Sequence, residues 1–139
     1  MAFFKVKASY NAEKENGKVT KTTREFLVDG ILYGEVEKRA MEEMIPFSKD
    51  GDIMLVISRY PLKETVFNGG DKYFRIQLIY EILDPKSGNV KEEKYPTLVQ
   101  ANDIAEAQMN LIEHMKGSIA DYKFGKVEAT KIEEVYFYN

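Results

Sequence analysis

His114 is the chain's only histidine, and it follows Glu113 late in a predicted helix. Histidine serves proton transfer and metal binding because its ordinary pKa lies near neutrality. Both chemistries need further groups that converge on the ring. A solvated histidine in the last turn of a helix is also favoured by the helix dipole alone. We interpret His114 in that second way.

Carboxylates offer the next chemistry, and the densest group is Glu37, Glu42 and Glu43 on the first predicted helix. Lys38 and Arg39 lie among them, so the pattern favours a solvated face with charge pairs three or four residues apart. No acidic calcium-binding loop of the EF-hand kind occurs. The chain has no cysteine, which removes thiolate ligands and cysteine nucleophiles.

The segment 68–72 contains two glycines and a lysine, Asn-Gly-Gly-Asp-Lys. A phosphate-binding P-loop requires a longer spacing and must lead into a helix, whereas these glycines precede a predicted strand. No G-x-S-x-G nucleophile motif is present. The sequence therefore predicts no catalytic residue, no metal and no cofactor, and we expect a protein that is not an enzyme.

Binding residues are better represented on the polar faces of two predicted strands. Lys5 and Lys7 lie on one face of the first strand, and Arg75 and Gln77 lie at the corresponding positions of a later strand, flanked by Tyr73. Basic and aromatic side chains together are typical of surfaces that bind single-stranded nucleic acid. The formal net charge of −3 and the pI near 5.3 argue against a nucleic-acid binder as the first choice.

The spacing of apolar residues along the chain predicts the strands and helices that position these residues. Alternation over 3–10 and 72–83 predicts half-buried strands, and each is followed by a turn and a second strand. Helical spacing then predicts two amphipathic helices. The predicted stripes are Tyr33, Val36, Ala40, Met41 and Met44, and Ile104, Ala107, Leu111, Ile112 and Met115.

The order of elements repeats, because the sequence aligns with itself at a shift of 70 or 71 residues. Phe4 meets Phe74, Gly17 meets Gly88, and Ile57 meets Val127. A duplication requires the same supersecondary unit twice. We predict a single α+β domain over 1–139, built from ββαβ repeats at 3–67 and 72–138. The two halves would be related by a pseudo-two-fold axis and would form an antiparallel sheet or sheets with two helices. Whether the halves form one continuous sheet or two packed sheets stays open.

Several segments resemble an uncharacterised family of small proteins, a domain of unknown function from Bacteroidetes and their phages and mobile elements. They are Phe-x-Val-Lys near the N-terminus, Leu-Val-Asp, Leu-Val-Gln-Ala, His-Met-Lys-Gly-Ser-Ile-Ala-Asp-Tyr at 114–122 and Ala-Thr-Lys-Ile-Glu-Glu-Val at 129–135. The resemblance implies a cytosolic, phage-linked setting. It implies no activity.

We expect a non-enzymatic interaction module, an accessory protein of a phage or mobile element that docks to another protein through a sheet edge. The alternative is a protein that binds single-stranded nucleic acid or a nucleotide in a pseudo-symmetric groove, through Lys5, Lys7, Tyr73, Arg75 and Gln77. No apolar run approaches the length that spans a bilayer, so no membrane partner is expected. A cytoplasmic location is expected, and a homodimer is left open. The aromatic C-terminal segment 135–138 is expected to pair into a sheet, in the monomer or with a partner.

Overall fold

A computed structural model of the protein describes residues 2–118 and 121–138. It contains eight strands and two helices in these residues. In chain order they are β1 (Ala2–Glu13), β2 (Val19–Gly30), α1 (Tyr33–Met44), β3 (Ile53–Arg59), β4 (Glu64–Phe67), β5 (Lys72–Leu83), β6 (Val90–Ala101), α2 (Ile104–His114), β7 (Tyr122–Ala129) and β8 (Ile132–Tyr136). A single 3₁₀ turn, Ile45–Phe47, follows α1.

The strands form where the sequence alternates. Phe4, Val6, Ala8 and Tyr10 of β1 are buried on one face, as their period of two predicts. The turn between β1 and β2 ends at Gly17, whose φ of 81° is a conformation that glycine adopts without strain. The strand and helix predictions are confirmed in kind, and α+β is the class of the fold.

The strands form two four-stranded sheets, ordered β3-β1-β2-β8 and β4-β6-β5-β7. Three strands of each sheet are antiparallel neighbours, but β8 lies parallel to β2 and β4 lies parallel to β6. The predicted antiparallel pairing thus holds for three strands of each sheet, and the fourth strand makes each sheet mixed. The parallel pairs arise because the last strand of each repeat joins the sheet formed by the other repeat.

This exchange divides the chain into two compact units. Unit 1 comprises 1–61 and 131–139, and unit 2 comprises 62–130. The repeats predicted at 3–67 and 72–138 thus describe the sequence, whereas each unit takes its fourth strand from the other repeat. The single domain and the pseudo-two-fold axis stay predictions, and the predicted limits at residues 1 and 139 lie outside the described residues.

Each unit packs its helix on one face of its sheet. Val36, Ala40 and Met44 of α1 join the core of unit 1, and Ala107 and Leu111 of α2 join that of unit 2. The predicted stripes are only partly buried, since Tyr33, Ile104 and Ile112 are exposed. The N-cap residue of α2 is Asp103, whose side chain accepts a hydrogen bond from the backbone N–H of Glu106.

Candidate protein-interaction site

The strand β3 is an edge of the first sheet, and its outer face is apolar. Met54 is 67% exposed and Val56 is 60% exposed, while Ile53, Leu55 and Ile57 contribute to the core on the other face. The strand pairs with β1 without a register shift over its seven residues. A long, regular and apolar edge is unusual, because it offers a template for pairing with another chain.

One hydrogen bond shows which residues of β3 have backbone groups that point away from β1. The N–H of Tyr60 donates to the carbonyl of Phe3 at 2.9 Å, so the backbone of residue 60 points toward β1. Backbone groups of successive residues in an antiparallel strand point to alternate sides. The N–H and C=O groups of Ile53, Leu55 and Ile57 therefore point away from β1. A second hydrogen bond is consistent with this direction, because the Tyr33 hydroxyl, which is not part of β1, donates to the Ile57 carbonyl at 3.5 Å.

The corresponding edge strand of unit 2, β7, has features that hinder strand addition. A register shift interrupts its pairing with β5 between Ile76 and Leu78. Lys126 has a side chain that is 74% exposed, and Lys123 forms ion pairs with Glu92 at 3.1 Å and Glu81 at 3.7 Å. Bulges and edge lysines are devices by which natural sheets avoid pairing with other chains.

The remaining two edges are also less suited to pairing. The strand β4 has four residues, and β8 has Glu133 and Glu134 among its five. Short strands and charged side chains both limit edge-to-edge association. Among the edges in the described part of the chain, β3 alone combines length, regular pairing and an uncharged apolar face.

Charged groups flank the apolar part of β3. Asp50 and Asp52 precede the strand, and Arg59 ends it with its guanidinium 5.4 Å from the centre of the Phe4 ring. Asp50 accepts a hydrogen bond from the Asn11 amide at 3.0 Å. That bond and the backbone N–H of Asp52 hold the pKa of Asp50 below its usual value, so this end of the strand is negatively charged at neutral pH.

A shallow cavity of about 300 Å³ lies where β3 begins. Tyr10, Asp52 and Met54 contribute to its wall. The cavity therefore continues the apolar outer face of β3 toward its acidic end, and it provides a recess for a side chain of a docked segment.

The two lysines predicted to bind a ligand lie on β1 in unit 1. The Lys5 ammonium lies 5.8 Å from the centre of the Tyr60 ring, and Lys7 is exposed. Lys7 lines a cleft of about 530 Å³ together with Thr23, Glu25, Lys131 and Glu133. Its cross-strand neighbours are Glu25 on β2 and Val56 on β3, so the surface around Lys7 carries both signs of charge and adjoins the outer face of β3.

The other three predicted residues lie on β5 in unit 2. Tyr73 is only 6% exposed, and its ring packs edge-on against Phe67 at 5.7 Å. Arg75 lies 3.8 Å from a carboxylate oxygen of Glu128, and Gln77 lies beside Gly125. Burial leaves the Tyr73 ring little surface on which a base could stack. The structure thus keeps Tyr73, Arg75 and Gln77 on one strand, and the basic side chain that lies near Arg75, Lys126, approaches the same Glu128 carboxylate at 3.5 Å.

His114 does more than occupy a solvated helix end. Its Nε2 lies 3.2 Å from Oε1 of Glu64, so the side chain connects the end of α2 to β4 within unit 2. Across residues 2–118 and 121–138, no three His, Asp or Glu side chains are grouped closely enough to hold a metal ion.

The C-terminal segment is fixed in unit 1 rather than projecting from it. The Tyr136 ring packs edge-on against Phe26 at 5.4 Å, and the Tyr138 N–H donates to the buried carboxylate of Asp29 at 2.7 Å. The Tyr138 hydroxyl donates to Glu43. The expectation that this segment pairs into a sheet holds for Val135 and Tyr136, whose partner is β2 of the same chain, whereas Phe137 and Tyr138 lie beyond the end of β8.

The chain belongs to the family described as domain of unknown function DUF4494, which matches residues 2–138. The resemblance noted from the sequence is confirmed at the level of an uncharacterised family. No curated protein and no solved structure matches the chain. None of the described helices is long and apolar enough to cross a membrane.

Proposed function

We propose that this protein is a non-enzymatic interaction module that binds an extended segment of a partner protein along the free edge of β3. The observation that supports this most is the contrast between β3 and β7, which occupy equivalent places in the two sheets. One edge is regular and apolar, and the other carries lysines and a register shift. In strand addition, main-chain hydrogen bonds provide affinity and alternate side chains provide specificity.

The partner segment would add a fifth strand to the first sheet. Its backbone would bond to the outward groups of Ile53, Leu55 and Ile57, and at the Ile57 carbonyl it would replace the Tyr33 hydroxyl. Its apolar side chains would cover Met54 and Val56. Cross-strand apolar pairs contribute roughly 0.2–1 kcal/mol each. Several pairs together with the new hydrogen bonds suit a specific contact of moderate affinity.

Binding of single-stranded nucleic acid or a nucleotide has less support. Tyr73 is buried, Arg75 has an acidic neighbour, and Lys7 lies beside Glu25. A nucleic-acid surface needs clustered positive charge to neutralise phosphates. In the described residues, the basic side chains near these positions come together with carboxylates: Lys7 and Lys131 share a cleft with Glu25 and Glu133, and Arg75 and Lys126 share Glu128.

A role as a cytoplasmic accessory protein of a phage or mobile element forms the wider part of the proposal. It is supported by the resemblance of the sequence and by the lack of cysteine, which fits a reducing compartment. The partner in that setting would be another protein of the element or of its host.

The test is selection of short extended peptides by the full-length protein, followed by affinity measurement with the Val56→Lys variant. That substitution gives β3 the residue that the second repeat has at position 126, 70 residues later. We expect selected peptides to alternate apolar and polar residues and to bind the variant about tenfold more weakly or worse, because a lysine on the edge opposes strand addition.

The matched control is Met109→Lys. Met109 is 69% exposed on α2, and Lys38 holds the equivalent place on α1, 71 residues earlier. This variant loses a similar apolar side chain and gains the same charge, but the substituted residue belongs to α2 of unit 2 and not to β3. Its affinity should equal that of the wild type. Equal loss in both variants, or selection of no peptide by protein dilute enough to be monomeric, would contradict the proposal.

A further inference from the structure

The sequence of β3 suits one particular occupant of this edge. We infer that a second copy of this chain pairs with it, with the two β3 strands antiparallel and Leu55 on the two-fold axis. The inference rests on the proposed function, since it requires the same free edge, and it adds the identity of the partner and the register.

The geometry of the strand selects among registers. In a symmetric antiparallel pair, residues that face each other lie on the same side of the sheet, so the axis must pass through a residue. With the axis at Leu55, Ile53 of each copy faces Ile57 of the other. These are the residues whose backbone groups point outward. All of them are hydrogen-bonded across the pair in this register, and there the Ile57 carbonyl exchanges the Tyr33 hydroxyl for a backbone N–H.

The side chains on the outer face are complementary in the same register. Met54 of each copy faces Val56 of the other, so the four exposed apolar side chains of two copies form one continuous patch. Shifting the axis to Val56 would instead oppose Met54 and Ser58. The register at Leu55 covers more apolar surface, and apolar burial is the main favourable contribution to association.

The charges at the two ends of β3 select the antiparallel direction. Asp50 and Asp52 precede the strand and Arg59 ends it. Continuing the register outward places Arg59 of one copy opposite Gly51 of the other, between the two aspartates. A parallel pair would bring the aspartates of both copies together, and like charges facing each other are destabilising.

Cysteine cross-linking can determine which residues of the two strands face each other. The natural chain has no cysteine, so any disulfide must join the introduced residues. Met54 and Val56 would face each other at a non-hydrogen-bonded position, where Cα atoms lie about 4.5 Å apart, within the range of roughly 4.4–6.8 Å that a disulfide bridges. We expect an oxidised mixture of Met54→Cys and Val56→Cys proteins to form the mixed disulfide dimer. Each variant alone should form much less dimer.

Three results bear on the inference. If Val56→Cys alone formed as much disulfide dimer as the mixture of the two variants, the register would be overturned. Monomer at every concentration in sedimentation equilibrium of the wild type would overturn the second copy as the occupant. We expect the wild type and Met109→Lys to form a concentration-dependent dimer. The dissociation constant should be at least about tenfold higher in Val56→Lys, because that variant replaces an apolar side chain of the outer face with a positive charge beside Lys7.

The two proposals fail in different ways. A monomeric protein whose β3 edge binds selected peptides would refute the second copy and leave the interaction module standing. A dimer that Val56→Lys does not weaken, together with peptides that bind this variant unchanged, would refute both.

Discussion

Removal of the side-chain cap of α2 is the perturbation whose size follows most directly from the structure. Asp103 has an extended backbone, with φ −151° and ψ 174°, and its side chain accepts the N–H of Glu106 at 2.7 Å. Without it, one of the four backbone N–H groups that begin every helix loses its partner. The α1 helix begins at Leu32, which has a similar extended backbone but no side-chain hydrogen bond.

The Asp103→Ala variant should lose about 1 kcal/mol in free energy of unfolding, the usual cost of removing an N-cap. Interaction of the carboxylate with the helix dipole adds about 0.3 kcal/mol, the low end of its range because Asp103 is exposed. The expected total is therefore about 1.3 kcal/mol. Leu32→Ser is the reciprocal variant, and it should gain about 1 kcal/mol because it supplies the missing acceptor.

The assay is urea unfolding of the three proteins, combined with amide hydrogen exchange to assign the change to one helix. Faster exchange in the first turn of α2 is expected for Asp103→Ala, and slower exchange in the first turn of α1 for Leu32→Ser. A change below about 0.3 kcal/mol in Asp103→Ala would refute the reasoning, since a cap in contact should be worth several times that.

Two further predictions concern a turn and the C-terminal anchor. Gly70→Ala should cost about 2–3 kcal/mol in urea unfolding, because φ is +129° and a Cβ would lie 2.6 Å from the Ala101 backbone, whereas Gly69→Ala, with open space, should cost about 1 kcal/mol. Equal losses would contradict this. Burial and the bond to Glu43 raise the pKa of Tyr138, so the folded state retains the phenol proton and wild-type stability should fall as pH rises above 10.0. Tyr138→Phe should show a smaller fall between about pH 9 and 11, and identical pH profiles would refute the assignment.

The local elements of the fold could be predicted because their causes are local. Alternation of apolar residues gives β1 and β5, and Asp103 with Glu106 gives the start of α2. The internal repeat predicted a ββαβ unit twice, and the structure has two strands before and two strands after the helix in each half. These features need only neighbouring residues to be recognised.

The exchange of β4 and β8 between the sheets could not be predicted from the same patterns. A strand four or five residues long has no feature that distinguishes one parallel neighbour from another, and its position depends on where the preceding connection leads. Pro61 marked an interruption after β3, but an interruption does not indicate which sheet the chain enters next.

The candidate site was missed for a related reason. The apolar run at 53–57 predicts a buried strand, and only the sheet order shows that β3 has no neighbour on one side. Comparison of the repeats contained a signal, since Val56 aligns with Lys126 at a shift of 70. Tyr73 was selected because it shares a strand face with Arg75, but packing against Phe67 buries it.

The most direct test of the central claim is amide exchange along β3 in dilute protein, before and after a selected peptide is added. Met54 and Val56 donate toward β1 and serve as internal references. The account predicts that the amides of Ile53, Leu55 and Ile57 exchange quickly at first and become protected when the peptide binds. Peptide binding that leaves these three amides unprotected would contradict strand addition at β3.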